Sequence, residues 1–235
     1  MTDLNQLDDA SAEEVLRAAL DEYGNKVALA SSFGAEDVVL IDMLHKINPK
    51  AKIFTLDTGR LNQETYDVMD AAREKYGMTF DIYHPDTDKV EKMSEEHGFN
   101  LFYDSIEKRK LCCGVRKMDG IKRALSGLDA WITGLRAEQS VTRVDMKKME
   151  RDEGNNMMKF NPLMDWTEGD IWNYIRENDV PYNALHDQGF PSIGCEPCTR
   201  AVRKIEDFRA GRWWWENPEQ KECGLHVKEA VKTGS

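Results

Sequence analysis

The sequence predicts an α/β fold: an open, mainly parallel, twisted sheet flanked by helices. Short runs rich in apolar and β-branched residues alternate with longer stretches of helical periodicity from the N-terminus onward. Gly or Pro separates most of these segments, as is typical of the turns between elements. Because parallel neighbouring strands need a crossover connection, usually a helix, this alternation favours a parallel sheet with helices on both faces.

The first helix has the clearest start signal, because Ser11 and Glu14 form a capping box and the amphipathic pattern continues to Tyr23. Further helices are predicted around 38–44, 61–76, 90–97, 115–125, 166–177 and 200–208. Strands are predicted at 26–30, 52–56, 79–83 and 130–133, with an edge strand at 158–160. The charged stretch 145–156 is expected to be an exposed excursion. The periodicity fades near Gly211, which predicts a body over 1–210 and a mobile C-terminal tail over 211–235.

Composition narrows the class of protein. The net charge of −11 disfavours binding to nucleic acid or to anionic membranes, and no apolar stretch is long enough to span a bilayer. The acidic N-terminus lacks the features of a secretory signal. Five cysteines, an odd number, therefore point to a reducing compartment, so we expect a cytoplasmic protein with free or metal-bound thiols.

Four of the cysteines form two close pairs, Cys112-Cys113 and the C-x-x-C of Cys195 and Cys198. Four thiolates can hold zinc or an iron–sulfur cluster. Adjacent cysteines chelate one zinc ion poorly, whereas a cluster offers each thiolate a different iron. Four buried free cysteines and a thioredoxin-like C-x-x-C are the alternatives. Cys223, alone in KECGLH, is either a nucleophile or a surface thiol.

Three polar loops follow predicted strands: SSFGAED at 31–37, DTGR at 57–60 and GLRAEQS at 134–140. Ligands of open parallel sheets bind beyond the carboxyl ends of the strands, and a helix N-terminus after a Gly suits a phosphate. An ordinary turn between strand and helix is the alternative interpretation. The first loop resembles the SGGxDS pyrophosphatase loop of adenine-nucleotide alpha hydrolases. Phe33 replaces the first Gly and Glu36-Asp37 replaces Asp-Ser, so we expect Phe33 to fill space beside the phosphate and the nucleotide to carry less than a triphosphate.

Four further strings, CCGVRK, GCEPCTR, GRWWWE and KECGLH, resemble the assimilatory, thioredoxin-dependent adenylyl-sulfate reductases, the iron–sulfur branch of the phosphoadenylyl-sulfate reductase family. The resemblance implies one 4Fe-4S cluster on Cys112, Cys113, Cys195 and Cys198. It implies that Cys223 is the nucleophile and that Lys117, Arg209 and Arg212 bind the phosphosulfate. The implied nucleotide contacts are Ser31, Ser32, Gly34, Leu56, Gly134 and Arg143, and Arg116 and His226 lie beside matched positions.

The implied reaction is reduction of adenylyl sulfate to sulfite and AMP through an S-sulfocysteine on Cys223, in sulfate assimilation towards cysteine biosynthesis. Thioredoxin or glutaredoxin would be the reductant, and the family suggests a homo-oligomer. Phosphoadenylyl sulfate is the alternative substrate. An ATP-dependent RNA thiolation enzyme and a cluster-bearing redox sensor are alternatives from other classes. The tryptophans at 213–215 are interpreted mainly as packing, with adenine stacking or thioredoxin docking as alternatives.

Overall fold

The computed structural model describes residues 4–139, 146–203 and 206–217. Within them the chain forms one six-stranded sheet with the strand order β3-β2-β1-β4-β6-β5. The strands are β1 Val27–Ser31, β2 Lys52–Leu56, β3 Asp81–Tyr83, β4 Ala130–Ile132, β5 Met149–Asp152 and β6 Met157–Phe160. All neighbouring pairs are parallel except β5 with β6. The predicted fold class, an open and mainly parallel sheet flanked by helices, is confirmed.

Seven α-helices connect and cover the sheet in the described part of the chain. They are α1 Ala12–Tyr23, α2 Ala35–Ile47, α3 Gln63–Tyr76, α4 Thr87–His97, α5 Ile106–Cys113, α6 Asp119–Leu125 and α7 Glu168–Glu177. Both halves of the Ser11–Glu14 capping box are present, and a second box of Thr167 and Asp170 opens α7. Short 3₁₀ turns occupy Leu4–Asp9, Gly24–Lys26, Leu101–Tyr103, Ala137–Gln139, Ala184–Gln188 and Glu196–Cys198.

The sheet buries both of its faces, because successive side chains of a strand point to opposite sides. In β1, Val27 and Leu29 join the larger core with α1, α2, α3 and α7, while Ala28 joins a smaller core with α6. Helix α2 is apolar on almost every side and buried over Val38–Leu44. None of the helices in the described ranges is long and apolar enough to cross a bilayer.

Three of the predicted elements were wrong. The stretch expected to be an exposed excursion contributes β5, which is the edge strand, so β6 lies inside the sheet between β4 and β5. The helix predicted at 200–208 is not formed in the described residues 200–203 and 206–208, where turns replace it. The predicted start of a helix after the tandem cysteines is also wrong, because they end α5, which continues without a break through the π-helical turn Gly114–Met118 into α6 and so covers the predicted range 115–125.

The chain remains packed on the body beyond the boundary predicted at residue 210. Trp213 is only 1% exposed, and its backbone N–H donates to the Cys198 carbonyl at 3.0 Å. The Arg109 guanidinium of α5 donates two hydrogen bonds to the Glu216 carboxylate, of 2.9 and 2.7 Å, and both side chains are buried. Residues 218–235, with Cys223, His226 and the rest of the predicted tail, lie outside the described residues.

Removing one partner of the Arg109–Glu216 pair leaves a buried charge without compensation. We therefore expect Glu216→Ala to lower the free energy of unfolding by about 3–5 kcal/mol, measured by urea denaturation. Glu206→Ala is the matched control, because Glu206 also forms a two-pronged pair with an arginine, Arg200, but in contact with solvent. Solvent screening should make the loss in the control far smaller. Equal losses in the two variants would contradict the anchoring role.

Candidate active site

A single cavity opens beyond the carboxyl ends of β1, β2 and β4. Ser31, Ser32 and Gly34 line it after β1, Leu56 lines it at the end of β2, and Gly134 lines it after β4. These are five of the six predicted nucleotide contacts. The sixth, Arg143, lies outside the described residues. The parallel sheet brings them together because each follows a strand that ends at the same edge.

The three predicted anion-binding residues line the same cavity. Lys117 comes from the π-helical turn after α5, and Arg209 and Arg212 come from the C-terminal stretch. The Arg212 guanidinium donates to the Ile193 carbonyl at 3.1 Å and to the Ser192 hydroxyl at 3.3 Å. Its Nε is buried and has no hydrogen-bond partner among the described residues. A donor of this kind is available to an anion in the cavity.

Asp37 lies buried under the first loop, where the sequence analysis noted Glu36-Asp37 as a departure from the resembled loop without assigning Asp37 a contact in the site. Its Oδ2 accepts from the Ser32 backbone N–H at 2.5 Å and from the Ser32 hydroxyl at 2.8 Å. Burial raises the pKa of Asp37 to about 6, against the lowering effect of these hydrogen bonds. Ser32 therefore already donates to this carboxylate, and its hydroxyl reaches a ligand as an acceptor or by exchanging partners.

Phe33 does not fill the cavity, contrary to the prediction. Its side chain is fully buried in the larger core and packs edge-on against Phe80, with ring centroids 5.1 Å apart. Its backbone has φ of 58°, a left-handed conformation that favours glycine. The resembling nucleotide loop carries Gly at this position, so the chain keeps the turn while using the side chain for core packing.

Gly134 allows the third loop to approach the first. A Cβ built on Gly134 would overlap Asp37 Oδ1 and come within 3.0 Å of the Glu36 Cβ. The same two loops are joined by an ion pair, in which Arg136 Nε donates to Glu36 at 2.9 Å. Arg136 is only 2% exposed, and no feature of the sequence indicated it beyond its place in the GLRAEQS string. The contact fixes the width of the nucleotide cavity.

The four paired cysteines come together in a second, small cavity. Cys112, Cys113, Cys195 and Cys198 line it with Arg60, Phe102, Arg109, Arg116, Lys117 and Pro197. All four are free thiols. Burial, and then the proximity of the other three cysteines, raises the pKa of Cys198 to about 12. In the described ranges no three His, Cys, Asp or Glu side chains form a group that could hold a single metal ion.

The π-helical turn explains how this second cavity meets the first. Extra residues in a helix of this kind shift the direction of the following side chains, and such turns are frequent at functional sites. Here the turn carries Arg116, which donates to the Thr58 carbonyl at 2.7 Å, and Lys117. Lys117 and Cys195 line both cavities. The Thr58 hydroxyl lies 3.2 Å from the Cys195 sulfur, so the loop after β2 also contacts both cavities.

Trp213 and Trp215 pack with the four paired cysteines in one apolar cluster, and none of the tryptophans at 213–215 lines the cavity beyond the strand ends. Two guanidinium groups lie close to the Trp213 ring, that of Arg109 at 4.6 Å and that of Arg212 at 5.1 Å from the ring centroid. Trp215 packs against Tyr103 with ring centroids 4.5 Å apart, while Trp214 is 48% exposed. The packing interpretation is confirmed for Trp213 and Trp215.

Comparisons with known proteins establish the family. The phosphoadenosine phosphosulfate reductase domain matches residues 26–201, so the chain belongs to this family. An adenosine 5'-phosphosulfate reductase of Burkholderia cepacia is 50% identical, covering 91% of this chain and 86% of the relative. An adenosine 5'-phosphosulfate reductase of Allochromatium vinosum is 49% identical, covering 97% of this chain and 89% of the relative. The crystal structure of phosphoadenylyl-sulfate reductase from Candida auris has a TM-score of 0.72 at 30% identity, covering 84% and 93%.

The close approach at Gly134 predicts a sharp effect of a single methyl group. We expect Gly134→Ala to weaken AMP binding at least tenfold, because the new Cβ displaces Asp37 or widens the cavity. Titration calorimetry measures the affinity. The control is Gly169→Ala in α7, where the added Cβ meets only an ordinary 3.5 Å contact with Thr167 Oγ1. Unchanged AMP affinity in Gly134→Ala would refute the tight approach of the loops.

The buried carboxylate of Asp37 makes stability depend on pH. The pKa of Asp37 in the folded protein, about 6, lies above the 3.8 of an aspartate in water. The native state therefore binds the proton more tightly, and stability is lost as pH rises from about 4 to 6. At pH 7 the ionised group costs about 3 kcal/mol. We therefore compare the free energies of unfolding of Asp37→Asn and of the unsubstituted protein in urea titrations. As the pH rises from 4 to 7, the variant should become more stable relative to the unsubstituted protein by about this amount. A difference that is constant with pH would contradict the burial.

Proposed function

We propose that the protein is an adenylyl-sulfate reductase, which converts adenylyl sulfate to sulfite and AMP in sulfate assimilation. One observation carries the proposal: the described nucleotide contacts and the predicted anion-binding residues line one cavity, and Cys195 joins that cavity to the other three paired cysteines. The relatives of Burkholderia and Allochromatium, named adenosine 5'-phosphosulfate reductases, support the choice of substrate.

Different lining residues of the cavity suit the anionic part and the nucleoside part of adenylyl sulfate. Adenylyl sulfate carries its negative charge on the phosphate and the sulfate, and Lys117, Arg209 and Arg212 supply the compensating positive charge. The same cations stabilise the charge that develops on the leaving phosphate oxygen. The nucleoside is left to the loops after β1, β2 and β4, with Ser31, Leu56 and Gly134 as contacts. Arg143 is proposed as a further nucleotide contact.

In the proposed first step, the Cys223 thiolate attacks the sulfur of adenylyl sulfate. A sulfur–sulfur bond forms while the bond from sulfur to the phosphate oxygen breaks, and the electron pair of that bond leaves with AMP. The product on the protein is an S-sulfocysteine. Because the thiolate approaches an anionic centre, the cations of the cavity lower the repulsion and favour ionisation of the thiol.

In the proposed second step, a dithiol reductant such as thioredoxin or glutaredoxin releases the product. Its thiolate attacks the Cys223 sulfur, sulfite departs with the electron pair, and the second thiol closes a disulfide on the reductant. Two electrons pass from the dithiol to the sulfur, and Cys223 returns as a thiol. The free thiols of the second cavity suit a reducing cytoplasm, and assembly into a homo-oligomer remains part of the proposal.

Cys112, Cys113, Cys195 and Cys198 would hold a 4Fe-4S cluster. The donor set fits, because four free thiols line one small cavity in a sulfur-rich and aromatic setting. Arg60, Arg116 and Lys117 in its walls offset the charge of four thiolates. When bound, the cluster supplies local charge beside the substrate cavity, while the two electrons of the reaction come from the dithiol.

Phosphoadenylyl sulfate is the second candidate substrate, favoured by the likeness to the Candida auris enzyme. An RNA thiolation enzyme would need an ATP site, and the buried Asp37 under the first loop disfavours a polyphosphate there. A redox sensor would leave the nucleotide cavity without a role. An assay with both sulfonucleotides at limiting concentration separates these functions. Sulfite release from neither substrate, with a dithiol reductant present, would overturn the proposal.

Cys223→Ser separates chemistry from binding. We expect this variant to release no sulfite, to bind AMP with unchanged affinity, and to keep its iron. Cys198→Ser is the matched variant, in which we expect iron content and the visible absorption of the cluster to fall. Sulfite release by a Cys223→Ser protein would contradict the assignment of the nucleophile, and full iron content in Cys198→Ser would contradict that of the cluster ligands.

A further inference from the structure

His186 is a buried imidazole in the wall of the nucleotide cavity that neither the motifs nor the proposed chemistry uses. It lies in the 3₁₀ turn Ala184–Gln188 and lines both the nucleotide cavity and a neighbouring cleft against α7. Its ring packs edge-on against Trp172, with centroids 5.2 Å apart. The ring is therefore held in place between the substrate cavity and the body of the protein.

Neither nitrogen of this ring has a hydrogen-bond partner among the described residues. Nδ1 and Nε2 are both buried and make no hydrogen bond of normal geometry with the described residues. The backbone at Phe190 lies close enough to favour the protonated ring, but closes no such bond. A buried polar atom without a partner is costly, and such atoms in native proteins commonly mark a site that a ligand or a water completes.

Burial of the ring favours its neutral form. Burial lowers the pKa of His186, although the carboxylates of Glu36, Asp187 and Glu168 and the Phe190 backbone favour the charged form. A neutral imidazole offers one N–H donor and one nitrogen acceptor. This pair matches the uncharged polar groups of a nucleoside, namely the ribose hydroxyls and the edge of the adenine ring.

The surrounding charges favour an uncharged partner. Three carboxylates act on the ring, of which Glu36 is paired with Arg136, whereas Lys117, Arg209 and Arg212 line the rest of the cavity. A phosphate or sulfate placed against His186 would be repelled by these carboxylates. The nucleotide therefore meets the imidazole with its uncharged portion while its anionic end meets the cations.

We propose that His186 is a further substrate-recognition residue, which hydrogen-bonds an uncharged polar group of the nucleoside in the bound nucleotide. The inference rests on the proposed function, since it takes the cavity to be an adenine-nucleotide site. It adds a contact from the α7 side of the cavity to those from the ends of the strands. The contact exists with both AMP and substrate, so it supports binding rather than the chemical step.

The test compares AMP binding by titration calorimetry in three variants. His186→Phe keeps a ring against Trp172 but removes both nitrogens, and we expect AMP to bind about tenfold more weakly. His186→Gln keeps a donor and an acceptor and should retain most of the affinity. His45→Phe is the matched control, because His45 is also packed against an aromatic ring, Tyr76, and lies away from the cavity. The control should bind AMP as the unsubstituted protein does.

Analogues identify the group that is recognised. The probes are 2′-deoxy-AMP and 3′-deoxy-AMP for the ribose, and purine riboside monophosphate, which lacks the adenine amino group. The analogue that lacks the recognised group should bind the unsubstituted protein about tenfold more weakly than AMP, yet bind His186→Phe as AMP does. In turnover, the KM of His186→Phe should rise while kcat is unchanged.

The outcomes separate this inference from the proposed function. Equal AMP affinity in His186→Phe and the unsubstituted protein would overturn the role of His186, as would equal losses for every analogue in both proteins. If His186→Phe fails to fold, judged by thermal melting, the same analogues with His186→Leu, which also lacks both ring nitrogens, decide between the two results. An unsubstituted protein that binds no AMP, or releases no sulfite, would instead overturn the proposed function.

Discussion

The arrangement of the site depends on the buried ion pair of Arg109 and Glu216. The two residues are 107 positions apart, and their hydrogen bonds fasten the C-terminal stretch to the helix that carries Cys112 and Cys113. Trp213 fits between Arg109 and Arg212, so the anchor also orients an arginine that lines the nucleotide cavity. A pair this deeply buried is stable only with both partners present, which makes the position of Arg212 conditional on α5.

Because this anchor already joins the segments, joining them and supplying charge are two separate roles, which a metal cluster could otherwise be assigned together. The C-terminal stretch that carries Arg212 is joined to the helix of the tandem cysteines by the ion pair, and to the C-x-x-C segment by the hydrogen bond from Trp213 to Cys198. The two pairs of thiols therefore line one cavity as a consequence of protein contacts. The proposed cluster would add charge to a geometry that side chains have set.

The sequence predicted what local patterns determine. The bounds of β2, the capping box of α1 and the convergence of the strand-end loops follow from periodicity, capping chemistry and the geometry of parallel sheets. The π-helical turn was missed because its backbone hydrogen bonds span five residues instead of four, a difference that leaves no apolar signature in the sequence. The Arg109–Glu216 pair and the core position of Phe33 were missed because tertiary contacts, rather than local propensity, decide them.

Charges of opposite sign lie on different sides of the proposed nucleotide cavity. Carboxylates of Asp37 and Glu36 lie under the first loop, and Lys117, Arg209 and Arg212 supply cations from elements outside the sheet. In a cavity of low dielectric constant these charges act strongly on a ligand that is anionic at one end and uncharged at the other. The anionic end is drawn to the cations and the uncharged nucleoside tolerates the carboxylates. An overall acidic protein can thus bind an anion, because its basic side chains are concentrated where the ligand carries its charge.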